Sequence, residues 1–435
     1  MDKTIKILLV NPKSSNQDAL PIPPLGILYL AAYAKRKGYQ DIEIIDNNRE
    51  NISVDNLTDR IKAADIVGLT GTTSQFRQAK EIASLAKKNH KLVVAGGPHA
   101  TSLAEEVLKT SDIDVVVVGE GEVTFYEILE AVRYGKGFFN INGIIFKNNN
   151  EIIKNKERPF IMNLDELPMP GRDLIPMTEY PQRELKRFSG KFTHMMSSRG
   201  CSGKCIFCSS PMMWKYPRLM SATRTLSEMK EIYDKYGIKN IHFQDDSFTI
   251  NRVRVNELCD LILKSGIDFK WSCQARPDCV DFELLKKMAE AGCVQIEFGV
   301  ESGDQGLLKS AVKGYSKQQI RKAFSDAKSV GLTTYGFFII GLPGETIITW
   351  LKSIIFARSL KLDNCVWTIL VPFPGTKVFI DNMVEIIDKD YLNWRYKNPI
   401  IKVGYFTPRT LFAMRKISDI LTNGLFNTGT YKKKI

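Results

Sequence analysis

No apolar run in these 435 residues approaches the roughly 18 that a membrane-crossing helix needs, so a soluble chain is expected. No arginine-rich block occurs either. The formal charge of +13 would suit nucleic acid, an anionic membrane surface or an acidic substrate, but the basic residues are scattered. Only Lys432-Lys433-Lys434 forms a run. A solvated lysine-rich surface follows, and nucleic acid is not expected as a partner. Nothing at Met1-Asp2-Lys3 resembles an export or transit segment, because the chain leads straight into a strand; a cytoplasmic protein with reduced thiols is expected. A hydrophobic share of 44% and a charged share of 25% leave ordinary globular domains, and the length allows two or three.

What the chain does carry is Cys201-Ser202-Gly203-Lys204-Cys205-Ile206-Phe207-Cys208. Three cysteines on one short loop can wrap three irons of a [4Fe–4S] cube, and Gly203 lets the backbone turn tightly. With no fourth ligand nearby, one iron stays open to a small molecule. Zinc competes, since short cysteine spacings also bind it, but structural zinc wants four ligands and no second Cys/His pair follows at a suitable distance. Cys259, Cys273, Cys279, Cys293 and Cys365 share no compact spacing and read as ordinary thiols, with Cys273 able to face a cavity at its strand end.

Ahead of this loop, short apolar runs alternate with helical patterns. Strands are predicted at Lys6–Val10, Asp41–Ile45, Ile66–Thr70, Lys91–Ala95 and Val115–Val118, with helices between them. This order predicts a doubly wound, Rossmann-like parallel sheet, whose ligands bind outside the carboxyl ends of the strands. Those ends bring Thr70, Thr72 and Ser74, then Gly96 and Gly97, then Gly119 and Glu120. Small residues there let a bulky ligand approach the backbone, although tight turns use glycine as well. Gly143 to Lys154 reads as a hairpin around Asn148-Asn149-Asn150, and Glu157 to Arg187 as an ordered, proline-containing crossing segment.

Beyond the loop, six strand–helix repeats between Phe192 and Leu370 suggest a partial (β/α)6 barrel, with its chemistry at the strand ends. Asp245 and Asp246 close the second strand and suit an ammonium group. Gln274 and Arg276 close the third, where arginine can meet a carboxylate bidentately. Glu297 and Glu301 bracket the fourth, Gly341 to Glu345 close the fifth, and a long helical stretch to Val330 follows the fourth strand. In the tail, Trp394, Tyr396, Tyr405 and Phe406 are expected to anchor a cap.

Cys201, Cys205, Phe207 and Cys208 resemble the signature of the radical SAM superfamily, whose open iron chelates S-adenosylmethionine. The order of Pro23-Pro24-Leu25-Gly26, the Thr/Ser loop, Gly96-Gly97-Pro98-His99 and Gly119-Glu120-Gly121-Glu122 is similar to the cobalamin-binding domains of one branch of that family. The resemblance covers nearly the whole chain. It implies that Asp245 and Asp246 hold the methionine amino group, that Gln274, Arg276 and Glu301 face ribose or carboxylate, and that Gly341 to Glu345 and Phe207 lie on the adenine side. It also implies a cobalamin site along Thr70, Thr72, Ser74, Gly96, Gly97, Gly119 and Glu120. The Asp-x-His-x-x-Gly motif for histidine ligation of cobalt is absent, so His99 reads as a hydrogen-bonded loop residue.

The expected organisation is a cobalamin-binding domain over 1–140, hairpin and linker over 141–190, the barrel over 191–375 and a cap over 376–435. By resemblance, the cluster passes one electron to bound S-adenosylmethionine, the deoxyadenosyl radical takes hydrogen from substrate, and methylcobalamin supplies a methyl group to an unactivated carbon. A donor such as flavodoxin or ferredoxin would supply electrons, and the substrate would be a small molecule, lipid or peptide. A radical cyclase, rearrangement or carbon–carbon coupling enzyme fits the same cofactors, and a non-catalytic cobalamin-binding or redox-sensing module is the alternative from another class. Replacing Cys201, Cys205 and Cys208 together with alanine is expected to abolish the broad iron–sulfur absorption of anaerobically reconstituted protein, with wild type holding about four irons per chain; a full cluster in the triple variant would sink the assignment.

Overall fold

A computed structural model describes residues 5–15, 21–149, 151–180, 188 and 190–424. Met1–Lys3, the hairpin residue Asn150, the crossing-segment residues 181–187 and the run Lys432–Lys434 lie outside the described residues. Contacts divide the chain into two units, Met1–Pro181 with Tyr391–Asn393, and Gln182–Asp390 with Trp394–Ile435.

In the first unit, β1 (Ile7–Asn11), β2 (Ile42–Asp46), β3 (Ile66–Thr70), β4 (Leu92–Gly96) and β5 (Val115–Val117) pair in parallel in the order β2-β1-β3-β4-β5. These runs are short and apolar on both faces because helices cover both. Leu8, Val10, Val67 and Val93 pack against Ile82, Ala83 and Ala86 of the helix Phe76–Lys88. The helices Leu25–Arg36 and Glu122–Arg133 pack together elsewhere in the unit. The doubly wound sheet is therefore present, and its order reverses between β1 and β3, the kind of switch point beside which such sheets bind ligands beyond their carboxyl ends. The expected hairpin, β6 (Ile144–Asn148) and β7 (Glu151–Lys154), joins the same sheet as its antiparallel edge against β5.

The second unit holds a six-stranded, all-parallel sheet in chain order: β8 (Phe192–Met195), then β11 (Asn240–Phe243), β12 (Lys270–Ala275), β13 (Cys293–Glu301), β14 (Thr333–Ile340) and β15 (Asn364–Ile369). Two short strands, β9 (Ser198–Arg199) and β10 (Arg218–Leu219), pair with each other outside it. Strand alternation is clear in β14. Phe338 and Ile340 are wholly buried on one face, while Tyr335, Phe337 and Ile339 on the other are half-buried.

Two expectations need correction here. The stretch 305–330 is two helices, Gln305–Ser310 and Lys317–Ser329, broken at Ala311–Ser316. Val312 and Gly314 take positive φ there, and Ser316 with Gln319 forms a capping box that restarts the helix. In the tail, Trp394 and Phe406 are buried, and Tyr396, more than half exposed, still meets the Phe373 ring edge-on and accepts from the Ile369 N–H through its carbonyl, but Tyr405 is fully exposed and does not anchor it. The main closure comes from the helix Pro408–Asn423, which packs on β15. Trp350 and Trp367 donate their indole N–H groups to Ser418 and Thr422 on it. Asn423 takes both backbone groups of Cys365, accepting from its N–H at 3.1 Å and donating to its carbonyl at 2.8 Å. A side chain thus stands in for the missing neighbour of an edge strand. Asn423→Ala is expected to cost about 1–3 kcal/mol, the scale of leaving backbone groups unsatisfied, read as a lower urea midpoint.

Candidate functional site

The cysteine loop follows β9 and ends before β10, and the pairing of these two strands at Arg199–Arg218 ties its base. Cys201 and Cys205 stand on either side of Gly203. A Cβ added there would lie 3.5 and 3.6 Å from their sulfurs and 2.6 Å from Nη1 of Arg276, so a larger residue would displace the guanidinium. Backbone N–H groups point at sulfur: Gly203 donates to Cys201 at 3.3 Å and Ser210 to Cys208 at 3.4 Å. Such bonds stabilise a thiolate. Burial works the other way, raising the Cys205 thiol and pushing Cys208 up to about 12. Thiols so placed ionise only when a cation joins them. Among the described residues no three His, Cys, Asp or Glu side chains converge to hold a single ion. A cube presents a separate iron to each thiolate, so its ligands need not converge, and this loop fits it.

Around the loop, the strand-end residues separate into two groups. Asp245 is buried and committed to the protein: it accepts from the backbone N–H and hydroxyl of Ser197, both at 2.6 Å, and pairs with buried Arg254 at 3.8 Å. Arg254 also donates to the carbonyls of Ser197 and Phe248. Asp246, beside it, is open to solvent and accepts from Ser210, two residues past Cys208, at 2.6 Å. Protein still surrounds its carboxylate on most sides, and this desolvation, with the charge of Asp245 adding, holds its pKa above the usual value.

Glu301 ends β13 at φ +63, after a register irregularity from Gly299 to Glu301. Its carboxylate accepts from Lys313 at 2.9 Å, with both groups buried. Burial is the largest influence on Lys313 and opposes its charge, but Glu301, Tyr315 and Cys205 together outweigh it and raise the pKa well above the usual value. The ammonium lies 5.5 Å above the ring of Phe207 and 5.3 Å from that of Tyr315, whose hydroxyl donates to the Gly299 carbonyl. Arg276 reaches toward Gly203, and Gln274 sits on the same strand face, paired in register with Glu297. Gly341 and Glu345 form a closed turn in which the Gly341 N–H donates to the Glu345 carboxylate. Burial pushes that carboxyl up to about 8, and a Cβ on Gly341 would meet Ile401 and Leu411. Cys273 is wholly buried and does not reach a cavity.

In the first unit, the expected residues also sort themselves. Thr72 and Ser74 bond each other at 3.1 Å, Ser74 also bonds Ser14, and Thr72 forms a capping box with Gln75. Gly96 packs on Val117 of β5. Gly97 has φ +89, and a Cβ there would meet the Thr70 hydroxyl at 2.9 Å and the Gly71 backbone at 3.0 Å. A branched residue at 97 would therefore strike the β3 loop itself. Glu120 is buried and accepts from the Ile161 N–H. Gly119, at φ +82, differs: nothing lies within 4 Å of a Cβ built on it. His99 is buried 3.2 Å from the Thr73 hydroxyl, stacked 4.1 Å from Phe76, and burial lowers its pKa to about 4.

Comparison with known proteins follows this division. A family model of the radical SAM superfamily matches residues 195–357, and one of the B12 binding domain matches residues 17–129. The chain is 36% identical over 421 residues to an uncharacterised methyltransferase of Pyrococcus horikoshii, covering 93% of this chain and 89% of that one. An anaerobic magnesium-protoporphyrin IX monomethyl ester cyclase of Cereibacter sphaeroides is 27% identical over 92% of this chain and 66% of its own length. The solved radical S-adenosylmethionine methyltransferase TsrM of Kitasatospora setae, with cobalamin and a [4Fe–4S] cluster bound, superposes with a TM-score of 0.73 at 18% identity, covering 87% of this chain and 74% of that chain.

The two adjacent aspartates give a direct test of the site. Asp245→Asn leaves buried Arg254 without its counter-charge and is expected to cost about 3–5 kcal/mol of stability. Asp246→Asn, losing one hydroxyl bond at the surface, should cost about 1 kcal/mol. Urea titrations of cluster-free protein measure both; equal losses would contradict the assignment.

Proposed function

The chain belongs to the radical SAM superfamily, in a branch that carries a B12-binding domain ahead of the radical SAM domain, and from that premise we propose a cobalamin-dependent radical SAM methyltransferase acting on an unactivated carbon. The observation that carries this reading is the three-cysteine loop at the carboxyl edge of a parallel sheet, with half-buried Arg276 reaching Gly203 inside it and buried Lys313 over the ring of Phe207.

When bound, the cluster supplies one electron for cleaving the carbon–sulfur bond of S-adenosylmethionine, and cobalamin supplies a methyl group. The protein's own groups bind and orient. Cys201, Cys205 and Cys208 would hold the cluster. Asp246 offers an exposed carboxylate to its ammonium, while Asp245 positions the strand end that carries Asp246. The Lys313–Glu301 pair keeps a fixed positive charge beside Phe207, where a carboxylate or ribose would lie. In the first unit, Gly119 is the strand end with room for a large ligand beside its backbone, and Gly97 shapes the neighbouring loop. A small-molecule substrate and a one-electron donor protein of the flavodoxin or ferredoxin kind complete the system.

The relative named as a cyclase supports a second reading, in which the same cofactors close a ring. Anaerobically loaded protein with reductant should release 5′-deoxyadenosine, and a substrate product heavier by one methyl group would favour transfer over cyclisation. Gly119→Asn, a residue that tolerates positive φ, should lose cobalamin while keeping its iron. No nucleotide cleavage from protein with a full cluster would turn the reading toward a non-catalytic module.

A further inference from the structure

Arg276 is held more rigidly than a nucleotide ligand needs to be. Its Nε and Nη2 donate to the two oxygens of Asp278 at 2.9 and 2.8 Å, and Nη2 donates again to the Lys313 carbonyl at 2.9 Å. The guanidinium lies 5.2 Å over the Tyr315 ring. With the fork locked in this way, one nitrogen remains. Nη1 is buried and, among the described residues, has no hydrogen-bond partner. It is aimed at Gly203, at the point that lies 3.5 and 3.6 Å from the sulfurs of Cys201 and Cys205. A buried unpartnered donor is costly, so its persistence here calls for an acceptor that the protein itself does not provide.

Charge around the loop is also uneven. Nη1 of Arg276 is aimed at the Cys201–Cys205 side, whereas the carboxylate of Asp246 accepts from Ser210, two residues past Cys208. We propose that Arg276 is a positioning residue for the electrostatics of the bound cluster: its free N–H faces the Cys201–Cys205 side and favours the reduced state, and Asp278 sets how much of its charge is felt. This rests on the reading that the loop holds a [4Fe–4S] cluster. The physics is direct. A cluster gains one negative charge on reduction, so a fixed cation and an N–H donor near its sulfurs stabilise the reduced form more than the oxidised one. Fixing the fork on Asp278 prevents the guanidinium from turning to a nucleotide carboxylate.

The test uses full-length, anaerobically reconstituted protein without nucleotide, its cluster potential measured by mediated titration with paramagnetic resonance of the reduced state. Iron and sulfide counts run in parallel, and calorimetry measures S-adenosylmethionine binding. Arg276→Gln should keep its iron and shift the reduced/oxidised ratio at least tenfold toward oxidised, which is about 59 mV more negative for one electron. Asp278→Asn should move the potential the opposite way, and Arg276→Lys should fall between wild type and Arg276→Gln. Nucleotide affinity in Arg276→Gln should stay within about threefold of wild type. An unmoved potential together with a tenfold weaker nucleotide would overturn the proposal and make Arg276 a nucleotide ligand. Should Arg276→Gln fail to assemble, unmoved potentials in Arg276→Lys and Asp278→Asn overturn it equally. Wild type that takes up no iron would overturn the reading of the loop, and the proposal with it; a full cluster with unmoved potentials would overturn the proposal alone.

Discussion

Three sulfurs on one partly buried loop can be thiolates only if positive charge reaches them. Burial alone drives Cys205 and Cys208 toward the neutral thiol, and two backbone N–H bonds do not reverse that. Iron supplies most of the missing charge, and the rest of the second unit is arranged to add to it. The Arg199–Arg218 pairing fixes the base of the loop, Gly203 removes the atom that would keep Arg276 away, and the break at Ala311–Ser316 lowers Lys313 onto Phe207.

The pair Lys313–Glu301 shows what this arrangement costs. Glu301 is held at positive φ, a conformation that a glutamate rarely adopts, and the strand register is irregular just before it. A regular β13 would send residue 301 to a different side and leave Lys313 as an uncompensated buried cation. Backbone strain at one residue is therefore exchanged for a buried charge that stays paired. The Tyr315 hydroxyl, donating to the Gly299 carbonyl, secures the irregular segment from the other side.

Sequence reasoning reached what is encoded locally or by period. The three cysteines are eight residues end to end, and strand alternation marks each carboxyl end within a residue or two, so both were legible. Lys313 and Tyr315 were missed because 305–330 has helical composition throughout; the signals that break it, Gly314 and the Ser316–Gln319 box, were present but outweighed. Asp245 and Asp246 are indistinguishable as letters. Their roles separate only when Ser197 and Arg254, 48 residues before Asp245 and nine after it, meet one carboxylate and not the other. Glycines show the same limit: Gly97 and Gly119 both occupy strand ends with positive φ, but one is filled by Thr70 and Gly71 while the other is open.

The same selection operates in both units. A parallel sheet gathers many polar groups at its carboxyl edge, and most of them are consumed in holding that edge together. Thr72 with Gln75, Glu120 with Ile161, and Asp46 with Tyr180 and Asn11 do this in the first unit; Asp245 with Ser197 and Glu345 with Gly341 do it in the second. A buried polar group already satisfied by the protein has little to gain from a ligand, because binding would exchange one hydrogen bond for another. Groups left open or unpaired after this accounting are the ones with free energy to offer. Among the described residues they include the three thiols, Asp246, Nη1 of Arg276 and the space beside Gly119. On the proposed function, ligand recognition would fall at positions that the fold does not itself use, and the closed networks beside them serve to hold those positions still.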